Sequence, residues 1–264
     1  MTYELPVWSH FLGTCLLLTA IAPTRPASAE DVFLAPSGAF PGQMWLSEAG
    51  TAPRIVHRRE PQANPAFPRA IMKLGQIAVA PEGKVYFASG LDGSIMHLLD
   101  QRHEIQVMEF DGQVRDLACS SEEHTIYFSV VPTPQNGEPL ADGKIYRRDL
   151  WAGRPTEVAT VRQADVGGNW WGTFTIRGGV IYLATLDGPS RLYKLSGNTV
   201  ERVFEQNVSA VKGLTAGPDG DFWFTTNDQQ VYRTRDFVTV TSVLRGDLNW
   251  NDVSLRQGHE NPRP

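Results

Sequence analysis

Four segments of this chain repeat one another. A repeat constrains a fold more tightly than composition does, because it means one small unit is built several times and stacked. Residues 76–90, 115–130, 172–185 and 212–226 each read as a strand, a tight turn and a second strand. The turns are Pro81-Glu82-Gly83-Lys84, Ser121-Glu122-Glu123-His124, Arg177-Gly178-Gly179 and Pro218-Asp219-Gly220-Asp221, most of them rich in residues that tolerate a sharp backbone reversal. An aromatic side chain recurs at one place in the second strands, as Tyr86, Tyr127, Tyr182 and Trp223. The period is about 40 residues, stretched once by an insertion from Pro132 to Gly143.

A third strand follows each pair, at residues 94–98, 144–148, 191–195 and 230–234, and a fourth at 105–108, 156–161, 200–204 and 240–244. No segment shows strong helical periodicity. Four strands per unit at this period predicts an all-β fold, a β-propeller whose blades are small sheets that bury their faces against their neighbours. The chain ends supply one more blade. Asn251-Asp252-Val253-Ser254-Leu255-Arg256 reads as an innermost strand with nothing after it, whereas Gln43–Glu48 and Pro53–Arg58 read as second and third strands with none before them. Joining them predicts five four-stranded blades, the ring closed by pairing of the N- and C-terminal strands, which removes the open edges of a linear array. The Pro-rich stretch 60–68 is then a surface excursion before residues 70–73 close the outer edge of that blade. Six blades are the alternative, if this stretch holds a degenerate unit.

Ahead of the repeats, residues 6–22 are uncharged and mostly apolar, and Ala27-Ser28-Ala29 fits a small-x-small cleavage site. The expectation is a signal peptide over 1–29, a propeller domain over 30–264 and a periplasmic or secreted protein without stable membrane insertion. Cys15 falls in the leader, which leaves Cys119 without a partner for an intramolecular disulfide. Stability must then come from packing, and Cys119 reads as a buried structural thiol. A formal charge of −5 gives no attraction for a polyanion, so nucleic acid is not an expected partner. A monomer is expected.

Residues 213–226, Gly-Leu-Thr-Ala-Gly-Pro-Asp-Gly-Asp-Phe-Trp-Phe-Thr-Thr, closely resemble the blade repeat of streptogramin (virginiamycin B) lyases. Residues 80–87, Ala-Pro-Glu-Gly-Lys-Val-Tyr-Phe, resemble the same unit and also gluconolactonase-type and NHL-repeat propellers. The resemblance implies a propeller of this superfamily and, for an enzyme, a divalent ion. The lyases use a Glu-x-His pair and a further His with Mg2+, and the lactonases a Glu, Asn and Asp set on innermost strands. The one Glu-x-His in this chain, Glu122-Glu123-His124, falls in the turn of the second repeat and reads as a polar turn, not a metal box.

Ligands of propellers gather at the channel mouth, at connections that enter innermost strands or link second to third strands. Those connections hold Arg115 and Asp116, then Asn169, Trp170 and Trp171, then Trp250, Asn251 and Asp252, with Glu48 after a strand of the shared blade. Hard oxygen donors suit Ca2+ or Mg2+, which makes Glu48, Asp116, Asn251 and Asp252 the candidate metal ligands, with ordinary blade-to-blade hydrogen bonding as their alternative use. Indoles beside polar side chains offer stacking with hydrogen bonding, so Trp170, Trp171, Asn169, Trp250 and Arg115 are the candidate ligand-binding set, with core filling between blades as the alternative use of the indoles. Asp92, Asp187 and Asp228 occupy equivalent places but read as turn residues. The first expectation is an exported propeller that binds a small molecule or partner protein through its loop face. The alternative is a metal-dependent lactonase or lyase working at the channel.

Overall fold

The structure, a computed structural model, describes residues 31–36, 43–48, 51–58, 76–89, 95–100, 103–109, 112–120, 124–131, 142–150, 153–166, 171–185, 190–197, 199–206, 210–217, 219–226, 228–246 and 250–256. Residues 1–29, expected as a signal peptide, the Pro-rich stretch, residues 70–73 and nearly all of the 132–143 insertion lie outside these residues.

The strands are β1 (Asp31–Pro36), β2 (Gln43–Ser47) and β3 (Arg54–Arg58); then β4 (Ile77–Val79), β5 (Val85–Ser89), β6 (Ile95–Asp100) and β7 (His103–Glu109). They continue with β8 (Gln113–Ser120), β9 (Thr125–Val131), β10 (Gly143–Asp149) and β11 (Thr156–Val161), and β12 (Trp171–Arg177), β13 (Val180–Thr185), β14 (Ser190–Ser196) and β15 (Thr199–Gln206). The last are β16 (Gly213–Ala216), β17 (Phe222–Thr225), β18 (Gln230–Thr234), β19 (Val240–Arg245) and β20 (Trp250–Arg256). They form five four-stranded antiparallel sheets: β4 to β7, β8 to β11, β12 to β15 and β16 to β19, here the first to fourth blades, and a fifth ordered β20-β1-β2-β3. The innermost strands β4, β8, β12, β16 and β20 contact one another in a closed ring. The fold is a five-bladed β-propeller.

The fifth blade corrects one expectation. Its second strand is β1, which pairs with β20 on one side and β2 on the other. The segments expected to be its second and third strands are therefore its third and fourth. β1 escapes a reading based on turns because it ends in Pro36 and has no hairpin signal ahead of it.

Packing explains why the repeat has the residues it has. Each second strand sends one aromatic side chain into the seam with the next blade, where it meets the apolar residue of that blade's innermost strand. The pairs are Phe33 with Ile77, Tyr86 with Leu117, Tyr127 with Phe174, Tyr182 with Leu214, and Trp223 with Val253, one in each of five apolar clusters. The outer strand pair of each blade is just as regular. In every blade the register between third and fourth strands slips at one place, at Met44/Trp45, Met96/His97, Ile145/Tyr146, Leu192/Tyr193 and Val231/Tyr232. Such a bulge increases local twist and turns the outer edge of a blade away from its neighbours.

Candidate functional site

An innermost strand has a partner on one side only, so alternate amides along its channel edge have no strand partner, and a buried amide without an acceptor is costly. Two carboxylates meet this need. Asp116, on β8, accepts a bond from its own neighbour Leu117 N–H at 2.8 Å and, across the seam, from Phe174 N–H of β12 at 2.6 Å. The Thr173 hydroxyl donates to the same carboxylate at 2.6 Å. Asp252, on β20, does the same two blades away around the ring, accepting from Val253 N–H at 2.8 Å and from Ile77 N–H of β4 at 2.7 Å. A second tier lies two residues further along these strands. The Ser254 hydroxyl accepts from Val79 N–H at 3.0 Å, and the Thr175 hydroxyl accepts from Ala216 N–H at 2.9 Å.

Both acids are almost wholly buried, at 1% exposure. Burial is the main force raising both pKa values, partly opposed by these donors. Asp116 is pushed up to about 7, and Asp252 rises well above the ordinary carboxylate range, with the charge of Asp116 as its second cause. Gly213 makes room for Asp252: a Cβ there would stand 2.5 Å from both the Asp252 Cα and its Oδ1.

Of the other candidate metal ligands, the structure describes the side chain of Glu48 alone. Glu48 follows the third strand of the fifth blade, half exposed, and pairs with Arg54 at 2.9 Å. Asn251 lies on β20, with its side chain outside the described residues. Asp116 and Asp252 have their oxygens engaged by amides and a hydroxyl, whereas a hard cation draws on several free oxygens. Among the described residues no group of three His, Cys, Asp or Glu side chains is placed to hold a metal.

The aromatic set is also separated. Trp171 is buried in the seam between the second and third blades, where a Cβ on Gly143 would stand 2.3 Å from its ring. Trp250 is buried in the seam between the fourth and fifth, edge-on to Trp45 at 6.0 Å. The two indoles fill core in different seams instead of lining one mouth. Asn169 and Trp170 lie outside the described residues. Arg115 sits partly buried at the register break beside Asp116, its pKa lowered by burial. Asp228 behaves as a turn residue, accepting from the Thr226 and Tyr232 hydroxyls; Asp92 and Asp187 lie outside the described residues. Cys119 packs beside the apolar cluster between the first and second blades, its thiol pKa raised first by burial and then by the charge of Glu82.

One feature has no counterpart among the sequence expectations. A cavity of about 230 Å3 opens at the seam between the second and third blades, lined by Tyr127, Val158, Ala159, Ile181 and Leu195, with Arg147 and the turn residues Gly179 and Gly197 at its rim. It lies on the face carrying the turns between first and second and between third and fourth strands, opposite the channel mouth that the sequence singles out. Sequence reading misses it because it is made by what a turn lacks. The β14–β15 hairpin closes with only Gly197 and Asn198 between paired Ser196 and Thr199.

No protein-family model and no curated protein matches the chain. Solved structures do. A protein of unknown function from Bacteroides caccae is similar at 9% identity and a TM-score of 0.50, with 81% of this chain and 73% of that one covered. A second, from Bacteroides thetaiotaomicron, is 10% identical with a TM-score of 0.47, covering 81% and 64%. A putative TolB from Agrobacterium tumefaciens is 14% identical with a TM-score of 0.45, covering 81% and 69%. At these identities the likeness is one of fold.

Proposed function

We propose that this chain is an exported binding propeller: residues 30–264 act outside the cytoplasm after removal of 1–29, engaging a partner through a loop face while the channel serves as a structural axle. The observation that carries this reading is the use made of Asp116 and Asp252. The two acids best placed for channel chemistry spend their oxygens on amides of their own and neighbouring blades. A catalytic carboxylate needs an oxygen available to substrate or metal. A five-bladed ring also presents several seams at each face, and rigid scaffolds with variable connections are how binding sites are commonly displayed.

Two measurements test the reading. N-terminal sequencing of the protein recovered from its native compartment should begin at Glu30, and an uncleaved N-terminus would overturn the export half. The purified mature protein should yield ligands from a peptide-library selection with Kd below about 10 µM. It should hydrolyse no lactone or ester panel in the presence of Ca2+ or Mg2+. Turnover that disappears in a folded Asp116→Asn variant would overturn the binding half.

A further inference from the structure

The seams show how this molecule closes the face on which the cavity opens. Between the third and fourth blades, the β18–β19 connection spans residues 235–239 and inserts Phe237 into the seam. Its ring lies 4.5 Å from Phe222, which in turn lies 4.8 Å from Tyr182. Phe237 holds a φ of +59°, a conformation unfavourable for a bulky residue and sustained by its burial. Between the first and second blades, the β10–β11 connection contributes Leu150, which is buried in that cluster and donates its N–H to His124 O at 3.1 Å. In each case the plug comes from the connection between third and fourth strands of the following blade.

The third blade has no such plug. Its two-residue turn carries Gly197, around which a Cβ would meet nothing within 4 Å. Ile181 occupies the register position that Phe222 holds one blade on, and Tyr127 the position of Tyr182. The walls that receive Phe237 in one seam are thus repeated in the other, with no side chain of the described residues between them.

We propose that this notch receives an aromatic side chain from an extended, acidic segment of a partner protein; the proposal rests on the binding reading above and names its occupant. Volume favours a side chain over a whole small molecule, since about 230 Å3 falls short of the roughly 300–1,000 Å3 of ordinary ligand pockets. The molecule's own Phe237 shows the ring that such walls accept. Charge supplies the second half of the recognition. Arg147 stands exposed at the rim with no hydrogen-bonding or ion-pair partner among the described residues, whereas Arg233, its equivalent in the fourth blade, is held by Asp219 and Asp221. A carboxylate next to the inserted ring meets Arg147 at the edge of an apolar surface, where a charge-assisted bond is stronger than in open water. Val158, exposed at the mouth, gives the segment an apolar surface to cross.

The test is methyl-detected NMR of the mature protein titrated with acetyl-Gly-Asp-Phe-Asp-Gly-amide. The expected result is perturbation of the Val158, Ala159, Ile181 and Leu195 methyls with a Kd of about 1 mM. The peptide with Ala in place of Phe should not bind. Arg147→Glu, an exposed change that leaves the fold intact, should weaken binding about tenfold. Ala159→Phe, checked for folding by its thermal transition, should abolish binding by filling the notch. Binding unchanged in both variants would overturn the proposal, as would N-acetylphenylalanine binding as tightly as the peptide. It is equally overturned by contacts in the free protein from Phe67 to Ile181, which would make the chain its own occupant, or by self-association blocked by Ala159→Phe. A library-selected peptide that perturbs only another face overturns this site while leaving the binding reading intact.

Discussion

Gly213 and Asp252 illustrate how much of this ring depends on single atoms. The glycine is needed for close approach: with a Cβ 2.5 Å from the Asp252 backbone, one of the two innermost strands must move. Gly213→Ala should therefore cost about 1–3 kcal/mol, read as a lowered urea midpoint. Asp252 and Asp116 make a second prediction through their protons. Both bind a proton more tightly folded than unfolded, so their contribution to stability is full below the unfolded carboxylate pKa of about 4 and is lost as pH rises through the folded value, about 7 for Asp116. Tm should fall between about pH 5 and pH 8. Asp252→Asn should lower Tm at pH 5, because the amide cannot accept from both Val253 and Ile77, but should flatten the decline; a profile parallel to the parent's would refute this account. Sequence reading places both acids on innermost strands, either as metal ligands or as ordinary blade-to-blade hydrogen-bonding groups, and their bonds to Ile77 and Phe174 are of the second kind. Which amides they satisfy could not be read, because backbone groups of other blades are invisible to any pattern of side chains.

The connections between strands hold the element-scale differences. The five blades share their strand plan, their bulge and their seam aromatic, yet the connection between third and fourth strands changes in length and content. Removing the ring of Phe237 tests what that connection does. Phe237→Ala should cost about 3 kcal/mol, or roughly 6–12 °C in Tm for a domain of this size. A loss under about 0.5 kcal/mol would show that relief of the positive φ, or collapse of the seam, offsets the lost burial. Most elements could be read from sequence because strand, Gly-rich turn and strand alternate clearly in the four internal repeats. β1 could not: its Phe33 belongs to the same row as Tyr86, Tyr127, Tyr182 and Trp223, but recognising that row requires knowing that β20 precedes it in space. Trp45, His97, Tyr146, Tyr193 and Tyr232 form a second row, in the third strands, that the sequence reading does not single out and that marks where every sheet slips register.

At the scale of the whole molecule, stability is circular, since every blade buries its faces only because both neighbours are in place. Deleting residues 250–264 removes the innermost strand of the fifth blade and with it the acceptors for Ile77 and Val79. The truncated chain should lose its cooperative thermal transition and become protease-sensitive throughout, instead of losing one blade; a single sharp transition near the parent Tm would contradict closure by β20. The pairing of β1 with β20 also fixes an order of events during biosynthesis. The strand that locks the ring follows every other strand of the propeller in chain order, so until it has been made the fifth blade holds β1, β2 and β3 without an inner edge. A propeller lacking that strand stays open, which leaves it recognisable to proteases and chaperones until β20 pairs with β1.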